Sequence, residues 1–188
     1  MRSEIVAAAL ESFHAQGYSA SVKDITDAAG VPKGSFYNHF GSKEEMAVEA
    51  LAQYSATLGL AELADQSVPP LSRLRAHFDQ LADQARARGF ARGCMLGNFT
   101  AEAADHSELI REAVATGYNH WAELIAAAIS QAQREGAVAS ELDPVVAARF
   151  LMNAWEGALL GARAARTEDS LAAFFTTVFD VLLRPGVT

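Results

Sequence analysis

The sequence has only one cysteine and no long apolar run. Cys94 alone cannot form an intrachain disulfide, so the cysteine content gives no sign of an oxidising compartment. No apolar stretch reaches the roughly 18 residues of a membrane span, and acidic residues interrupt the N-terminal apolar run, which argues against a signal peptide. We therefore expect a cytoplasmic protein that does not enter a membrane.

Sequence signals for catalysis and for metal binding are also missing. The five histidines have no paired spacing of the kind that binds a metal on a helix. Neither a phosphate-binding glycine loop nor a nucleophile elbow is present. We therefore expect no catalytic residues, no cofactor and no metal.

Patterns typical of strands are absent as well. Valine, isoleucine and threonine do not alternate with polar residues at period two, whereas alanine is abundant along the whole chain. Hydrophobic residues make up 51% of the 188 residues, which is enough for a core, and 20% are charged, which is not typical of a disordered chain. The composition predicts an all-α protein, and the pattern of apolar residues predicts about nine helices.

The most informative stretch encodes two short helices joined by a tight turn. Ser21 and Asp24 form a capping box before the first helix, which should stop at Gly30. Pro32 can open the second helix, which we expect to continue to Phe40. Two short helices with a turn of this kind are a helix-turn-helix.

The second of these helices has a polar face that a hydrophobic core does not need. Phe36 and Phe40 lie four residues apart and can anchor the helix inward, which leaves hydroxyl, amide, imidazole and ammonium groups on the outside. Such groups bind phosphates and base edges in a major groove, although a solvated helix face is the alternative. The predicted groove contacts are Lys33, Gly34, Ser35 and Asn38, and the predicted phosphate contacts are Ser21, Tyr37, His39 and Lys43.

A third helix should begin after Ser42, which forms a full capping box with Glu45. Its first-turn amides and Lys43 make an anion site for a DNA phosphate. We expect this helix to run from Lys43 to about Ala64 and to act as a lever between the DNA-binding part and the rest of the chain.

The net charge of −8 is unfavourable for a DNA-binding protein, because neutralisation of phosphates supplies much of the affinity. Residues 1–48, however, carry only −2 and hold all three lysines of the chain. A local basic edge on an acidic body is sufficient for specific binding to DNA with weak binding elsewhere.

The chain resembles the TetR-type transcriptional regulators in a long pattern without gaps. The pattern reads Ile25-Thr26-x-Ala28-Ala29-Gly30-Val31-x-Lys33-Gly34-Ser35-Phe36-Tyr37-x-His39-Phe40-x-Ser42-Lys43-Glu44. The resemblance implies a three-helix DNA-binding domain over residues 1–48 and a larger helical domain for ligand binding and dimerisation over residues 49–188. It also implies a homodimeric repressor that binds a palindromic operator in double-stranded DNA and is released by a small lipophilic or electrophilic inducer. Activation of a promoter is an alternative that the same residues serve.

The remainder of the chain has the periodicity of further helices after a break at Ser67-Val68-Pro69-Pro70. Asp143 and Ser170 are the expected N-caps of the last two. These two helices have too many apolar residues for one inward stripe, which predicts pairing with the same helices of a second subunit, with a monomer core as the alternative. The expected ranges are Leu71 to Arg88, Leu96 to Ala104, Ser107 to Glu135, residues 144–166 and residues 171–184.

Cys94 precedes a short helix, with Arg88 and Arg92 close in sequence, and both features favour a reactive thiolate. The segment around it is similar to that of a TetR-type subgroup that senses electrophiles and reactive chlorine through one cysteine. Where that subgroup has a lysine partner, this chain has Arg163, so a cysteine-lysine linkage is not expected. A buried thiol that only packs is one alternative, and a helical thiol enzyme centred on Cys94 is another.

Aromatic residues are spread over the helices that, by the resemblance, enclose a ligand cavity. A cavity lined by aromatic side chains suits a lipophilic small molecule, although core packing explains the same spacing. The predicted ligand-binding or sensing residues are Cys94, Phe99, Tyr118, Trp121, Met152 and Trp155.

Overall fold

The computed structural model describes residues 1–186, and the last two residues of the predicted second domain lie outside them. Regular structure within the described residues is entirely helical, which confirms the all-α prediction, and no helix there is both long and apolar enough to cross a membrane. In that part of the chain, ten α-helices precede a π-helical segment, Val178–Leu182. The α-helices are α1 Arg2–Gln16, α2 Val22–Ala28, α3 Lys33–Tyr37, α4 Lys43–Ala56, α5 Leu60–Ala64, α6 Pro70–Ala87, α7 Met95–Ala103, α8 Glu108–Arg134, α9 Pro144–Ala165 and α10 Asp169–Thr177.

The helices form two compact units, each made of two stretches of chain. Unit 1 comprises residues 1–57 and 94–118, and unit 2 comprises residues 58–93 together with residues 119 onward. The chain therefore passes from unit 1 to unit 2 for the last time within α8. The predicted boundary after residue 48 separates a DNA-binding part from a ligand-binding part, whereas the compact units are defined by contacts between residues. The predicted boundary therefore stays a prediction.

The core of unit 1 forms where α1 packs against α4 and α2. Phe13 of α1 is fully buried, and its ring lies edge-to-face on Phe99 of α7 with 5.3 Å between the centroids. Complete burial of a side chain of this size contributes roughly 1.5–3 kcal/mol. Because Phe99 is far along the chain from Phe13, this contact joins α7 to the N-terminal helices.

Unit 2 is organised around an aromatic cluster of Phe78, Trp155 and Phe174, one each from α6, α9 and α10. The ring centroid of Phe78 lies 5.2 Å from that of Trp155 and 4.9 Å from that of Phe174. Each of the three side chains is at most 5% exposed. Aromatic pairs at these separations contribute roughly 0.5–1.5 kcal/mol beyond the area they bury, so the cluster holds the three helices together.

Two of the predicted helix starts are confirmed by their capping hydrogen bonds. Ser21 Oγ accepts from the Asp24 backbone N–H at 3.1 Å, and the Asp24 carboxylate accepts from the Ser21 N–H at 3.0 Å. Asp143 Oδ1 accepts from the N–H groups of Val145 and Val146 at 2.8 and 3.1 Å. A cap of this kind contributes about 1 kcal/mol, so the sequence signal reports a real local preference.

The box predicted at Ser42 is only half formed. Ser42 Oγ accepts from the Glu45 backbone N–H at 3.1 Å, as expected. The Glu45 carboxylate, however, accepts from the N–H of Gly41 at 2.7 Å, one residue before the cap.

The long helix predicted from Lys43 to Ala64 is wrong, because α4 ends at Ala56 and α5 begins only at Leu60. Thr57 closes α4 with a hydrogen bond from its Oγ1 to the Tyr54 carbonyl at 2.7 Å. Gly59 then adopts a left-handed conformation with φ 68° and ψ 33°, which glycine takes at little cost and which cannot continue a helix.

Ser170 is not the cap of the last helix. It lies in the first turn of α10, which begins at Asp169 after Glu168 as N-cap. Its hydroxyl instead lies against Gly161 of α9, where a Cβ atom would stand 2.3 Å from the Ser170 Oγ. The serine therefore contributes to the packing of α10 on α9 and not to helix initiation.

Candidate nucleic-acid interface

α2 and α3 are joined by a turn that the backbone closes tightly. Gly30 has φ +68°, and the Val31 N–H then donates to the Thr26 carbonyl at 3.0 Å. Ile25 of α2 and Phe36 of α3 are at most 1% exposed, so the two helices pack through apolar side chains. The predicted helix-turn-helix is confirmed in its two elements and its glycine turn.

α3 is shorter than the sequence predicts, because it ends at Tyr37 and not at Phe40. The N–H groups of His39 and Phe40 both donate to the Phe36 carbonyl, at 2.9 and 3.0 Å, so the backbone tightens at this end. Asn38, His39 and Phe40 therefore lie in a closing turn. Phe40 is still buried, and its ring stacks on Phe36 with 5.5 Å between the centroids.

The predicted DNA contacts share one property, which is that none of them is buried. Tyr37 is 62% exposed although the adjacent Phe36 is 1% exposed. A Cβ atom added at Gly34 would meet nothing within 4 Å, so no contact inside unit 1 requires the glycine. Ser21, Lys33, Gly34, Tyr37 and Asn38 are exposed, and Ser35, His39 and Lys43 are half-buried.

Lys43 has a partner that the sequence does not indicate. Its ammonium donates to the Tyr18 carbonyl at 2.5 Å and lies 4.1 Å from the centroid of the Tyr18 ring. Burial lowers the pKa of Lys43, and the carboxylate of Glu44 partly offsets this. An ammonium has three N–H donors, and one is used here, so its predicted phosphate contact stays a prediction.

Tyr18 is held from its other side by α7. The Tyr18 backbone N–H donates to a carboxylate oxygen of Glu102 at 2.6 Å. Its ring packs on Phe13 and Phe99, with centroid separations of 5.9 and 5.5 Å. We call Lys43, Tyr18 and Glu102 the Tyr18 clamp. Sequence reasoning missed it, because the hydrogen bond to Glu102 joins residues 84 positions apart and no periodic pattern reports such a contact.

Cys94 lies where the sequence predicts, at the N-cap of α7, and is 5% exposed. It belongs to unit 1 together with the helix-turn-helix. Its proposed sensing role stays a prediction.

The other predicted ligand residues are distributed over both units. Phe99 and Tyr118 belong to unit 1, whereas Trp121, Met152 and Trp155 belong to unit 2. Several of them are engaged in core contacts: Phe99 packs on Phe13 and Trp155 on Phe78. These residues do not line the groove of about 350 Å³ between α9 and α10 or the groove of about 240 Å³ between α5, α6 and α8. Their role in ligand binding stays a prediction.

His77 is a buried polar residue that the sequence analysis did not single out. It is 3% exposed, and its Nε2 accepts from the indole N–H of Trp121 at 2.8 Å. Burial lowers the pKa of His77 to about 4, and the nearby Gly59 backbone partly offsets this. A neutral ring that accepts at Nε2 carries its proton on Nδ1. The available signal was a histidine beside Leu74, Phe78 and Leu81 on an apolar helix face.

Comparisons with known proteins agree with this architecture. Residues 5–50 match the family model described as bacterial regulatory proteins, tetR family, and residues 70–178 match the tetracyclin repressor-like C-terminal domain. The chain is 35% identical over 187 residues to the HTH-type transcriptional repressor DhaR of Mycobacterium sp. (strain GP1), which covers 97% of this chain and 92% of that protein.

Solved structures show the same likeness over nearly the whole chain. A TetR regulatory protein from Rhodobacter sphaeroides superposes with a TM-score of 0.85 at 32% identity, covering 93% of this chain and 95% of the other. Reduced Escherichia coli NemR superposes with a TM-score of 0.84 at 28% identity, covering 98% of each chain. The chain therefore belongs to the TetR family of bacterial regulatory proteins, and its helix-turn-helix is the DNA-binding element of a transcriptional regulator.

Proposed function

We propose that this protein is a homodimeric repressor that binds a palindromic operator in double-stranded DNA and is released by a small-molecule inducer. The observation that carries the proposal is the exposed polar face of α3, where Tyr37 is 62% exposed beside a buried Phe36. DhaR and NemR are both named as transcriptional repressors, which supports repression over activation. In this proposal residues 1–48 bind DNA, and residues 49–188 bind the inducer and the second subunit.

α3 enters the major groove in this proposal, with its exposed side chains toward the base edges. Lys33, Ser35 and Asn38 supply hydrogen-bonding groups, and the missing side chain of Gly34 allows close approach. Ser21, Tyr37, His39 and Lys43 contact phosphates and fix the register. Two copies related by twofold symmetry then read half-sites about one helical turn apart, roughly 10 bp, or a multiple of it.

The second subunit packs on the last two helices in this proposal. Val145, Val146, Phe150 and Leu160 of α9 are each at least 51% exposed, and Val181 of the π-helical segment is 69% exposed. A groove of about 350 Å³ between α9 and α10 passes over Gly157, where a Cβ atom would meet nothing within 4 Å. Large apolar side chains that protrude beside an open groove are typical of an interface between subunits.

The dimer can be tested by placing charges on this face. Phe150→Glu and Leu160→Glu should each give a monomer in sedimentation velocity, because the carboxylate would be buried without a partner. Operator affinity should fall by on the order of 10² or more, since the helix-turn-helix elements of the two subunits are no longer linked. Leu109→Glu is the matched control, because Leu109 is 43% exposed but lies in unit 1. Dimers that persist in both α9 variants would contradict this interface.

Release from DNA is proposed to pass through α7. Cys94 is buried at the N-cap of this helix, and Glu102 on the same helix accepts a hydrogen bond from Tyr18. Modification of a thiol in this position has to displace the first turn of α7, which disturbs the Tyr18 clamp and with it Lys43. The related NemR structure is of a reduced form, which supports a test of thiol chemistry here.

An electrophile with an activated double bond is the simplest modifying reagent. The thiolate adds to one carbon, a sulfur–carbon bond forms, and the proton goes to the neighbouring carbon, so no leaving group or oxidant is needed. N-ethylmaleimide is a reagent of this kind and serves as the probe.

The experiment is a fluorescence-anisotropy titration of the protein against DNA from the region upstream of its own gene. We expect specific binding that is lost after stoichiometric N-ethylmaleimide, and we expect Cys94→Ser to bind DNA before and after treatment. If the protein that retains Cys94 still binds DNA after treatment, the proposed repressor function is unaffected. The inducer would then be a lipophilic molecule that binds without a covalent bond. Absence of any sequence-specific binding would contradict the proposed function.

A further inference from the structure

Arg73 of α6 is a buried cation that has no carboxylate partner among residues 1–186. Its side chain is 6% exposed. Nη1 donates to the Val68 carbonyl at 2.8 Å and Nη2 donates to Gln131 Oε1 at 2.8 Å, so both acceptors are neutral. Nε is buried and has no hydrogen-bond partner among residues 1–186. Burial of a charge is unfavourable unless it is paired and fully hydrogen-bonded, so a guanidinium with two neutral acceptors in this part of the chain is a favourable place for an added anion.

Arg73 lines a groove of about 240 Å³ between α5, α6 and α8. That volume is about eight times what one water molecule takes in the liquid, and it lies below the range of roughly 300–1,000 Å³ of sites for drug-sized ligands. The groove therefore suits a small ligand. Its lining combines cationic, polar and apolar groups from Leu63, Gln66, Arg73, Leu124, Ser130 and Arg134.

The charges around this groove favour an anion. Arg134 is exposed in the last turn of α8 and adds a second guanidinium to the lining. The nearby carboxylate of Asp65 is exposed, and its lowered pKa is caused first by hydrogen bonds from Ser67 and only in smallest part by Arg73. Among residues 1–186 Asp65 forms no ion pair with Arg73, although the charge of Arg73 contributes to the lowered pKa of Asp65.

Gln131 holds the guanidinium in a fixed orientation. Its amide Nε2 donates to the Glu135 carboxylate at 2.8 Å, and its Oε1 accepts from Arg73 Nη2. The two hydrogen bonds together fix which end of the amide points at Arg73. A planar guanidinium whose orientation is fixed matches the two oxygens of a carboxylate.

We propose that this groove binds a small carboxylate that carries a short apolar tail. The carboxylate accepts hydrogen bonds from the guanidinium groups of Arg73 and Arg134, and the tail packs on Leu63 and Leu124. Within residues 1–186, two of the five N–H donors of Arg73 are used, which leaves donors for this ligand. The proposal concerns binding without DNA, so it stands or fails separately from the proposed repressor function.

The test is isothermal titration calorimetry of the full chain at low ionic strength with hexanoate, hexanamide and inorganic phosphate. We expect one hexanoate per chain, with hexanamide at least about tenfold weaker because a charge-assisted hydrogen bond is lost. Equal affinity for hexanoate and hexanamide, no binding of hexanoate at millimolar concentration, or tighter binding of phosphate than of hexanoate would each overturn the proposal.

Three variants locate the site. Arg73→Gln should weaken hexanoate binding about tenfold or more, and Arg134→Gln should weaken it a few-fold because that guanidinium is solvated. Arg75→Gln removes the same charge from the same helix at a position outside the groove and should leave the affinity unchanged. Unchanged affinity in Arg73→Gln would overturn the proposal.

A measurement on the unmodified sequence covers the case in which Arg73→Gln does not fold. The Nε–H resonance of Arg73 can be followed by nitrogen-15 NMR and assigned through its loss in Arg73→Lys, which keeps the positive charge. It should shift on addition of hexanoate and stay in place with hexanamide. An Nε–H resonance that does not respond to hexanoate would overturn the proposal.

Discussion

The contacts described inside unit 1 are partly polar and exposed, whereas those at the centre of unit 2 are aromatic and buried. In unit 1 the Tyr18 clamp adds two hydrogen bonds and a cation over a ring to the buried contact between Phe13 and Phe99, and both of its charged side chains remain accessible to water. In unit 2 the aromatic cluster of Phe78, Trp155 and Phe174 is buried. Polar contacts at a surface exchange readily with water, whereas a buried cluster resists rearrangement. We therefore expect the Tyr18 clamp to be the contact at which a small displacement changes DNA binding.

Removal of a ring from the aromatic cluster should have the largest effect. Phe78→Ala should lower the free energy of unfolding by about 3–5 kcal/mol, because it leaves a cavity beside Trp155 and Phe174. Urea unfolding followed by tryptophan fluorescence measures this. Phe175→Ala is the matched control, since Phe175 is half-buried and its loss should cost clearly less. Equal losses in the two variants would show that burial in the aromatic cluster does not set the stability of unit 2.

Acid should destabilise unit 2 through His77. Because the pKa is about 4 in the folded protein and 6.5 in the unfolded chain, the unfolded state binds the extra proton between these values. The stability from the neutral ring is thus fully present above about pH 6.5 and is lost as the pH falls toward 4. We expect a loss of about 2 kcal/mol between pH 7 and pH 5.

Urea unfolding at pH 7 and pH 5 checks the effect of His77, with His77→Gln as the comparison. The glutamine variant does not titrate, so the part of the pH dependence that belongs to His77 should disappear. The same slope in both proteins would assign the acid sensitivity to other groups.

Breaking the Tyr18 clamp should have effects of similar size on stability and on DNA binding. Glu102→Ala should cost about 1 kcal/mol of unfolding free energy, since one hydrogen bond to an exposed carboxylate is lost. Operator affinity should fall by several-fold, because Tyr18 no longer fixes the position of Lys43. Glu108→Ala is the control, as Glu108 is an exposed carboxylate of the same unit. Operator affinity unchanged in Glu102→Ala would show that the clamp only supports the fold.

The smallest expected effect separates the two roles of Lys43. Lys43→Ala should weaken binding to all DNA sequences and lower the slope of log affinity against log salt by about one, if the ammonium contacts a phosphate. A structural role alone predicts lost stability with an unchanged slope. Anisotropy titrations at several salt concentrations distinguish these outcomes for Lys43. Substitutions at Lys33 or Ser35 should instead alter which DNA sequences the protein prefers.

Features set by neighbouring residues could be predicted from the sequence. The caps at Ser21 and Asp143 and the turn at Gly30 depend on side chains within three residues, and the structure confirms them. The end of α4 was missed because apolar residues continue through Leu58 and Leu60 at helical spacing, although Gly59 breaks the helix.

Features that depend on distant residues could not be predicted. Arg73 meets Gln131 across 58 positions, and Lys43 meets Tyr18 across 25. Each is a polar contact whose partners carry no shared pattern, so only the packed helices bring them together. The predicted DNA-facing residues needed no such information, because they all lie within one short stretch of the chain, from Ser21 to Lys43.

The turn after α1 couples two positions that are far apart in the chain. Gly17 has φ +76°, and a Cβ atom there would stand 2.3 Å from a carboxylate oxygen of Glu102. Any larger residue at position 17 must therefore accept backbone strain and displace the side chain at position 102. In a library of random variants, functional substitutions at position 17 should be rare and should survive chiefly with a shorter residue at position 102. Substitutions at positions 17 and 102 are thus expected to occur together.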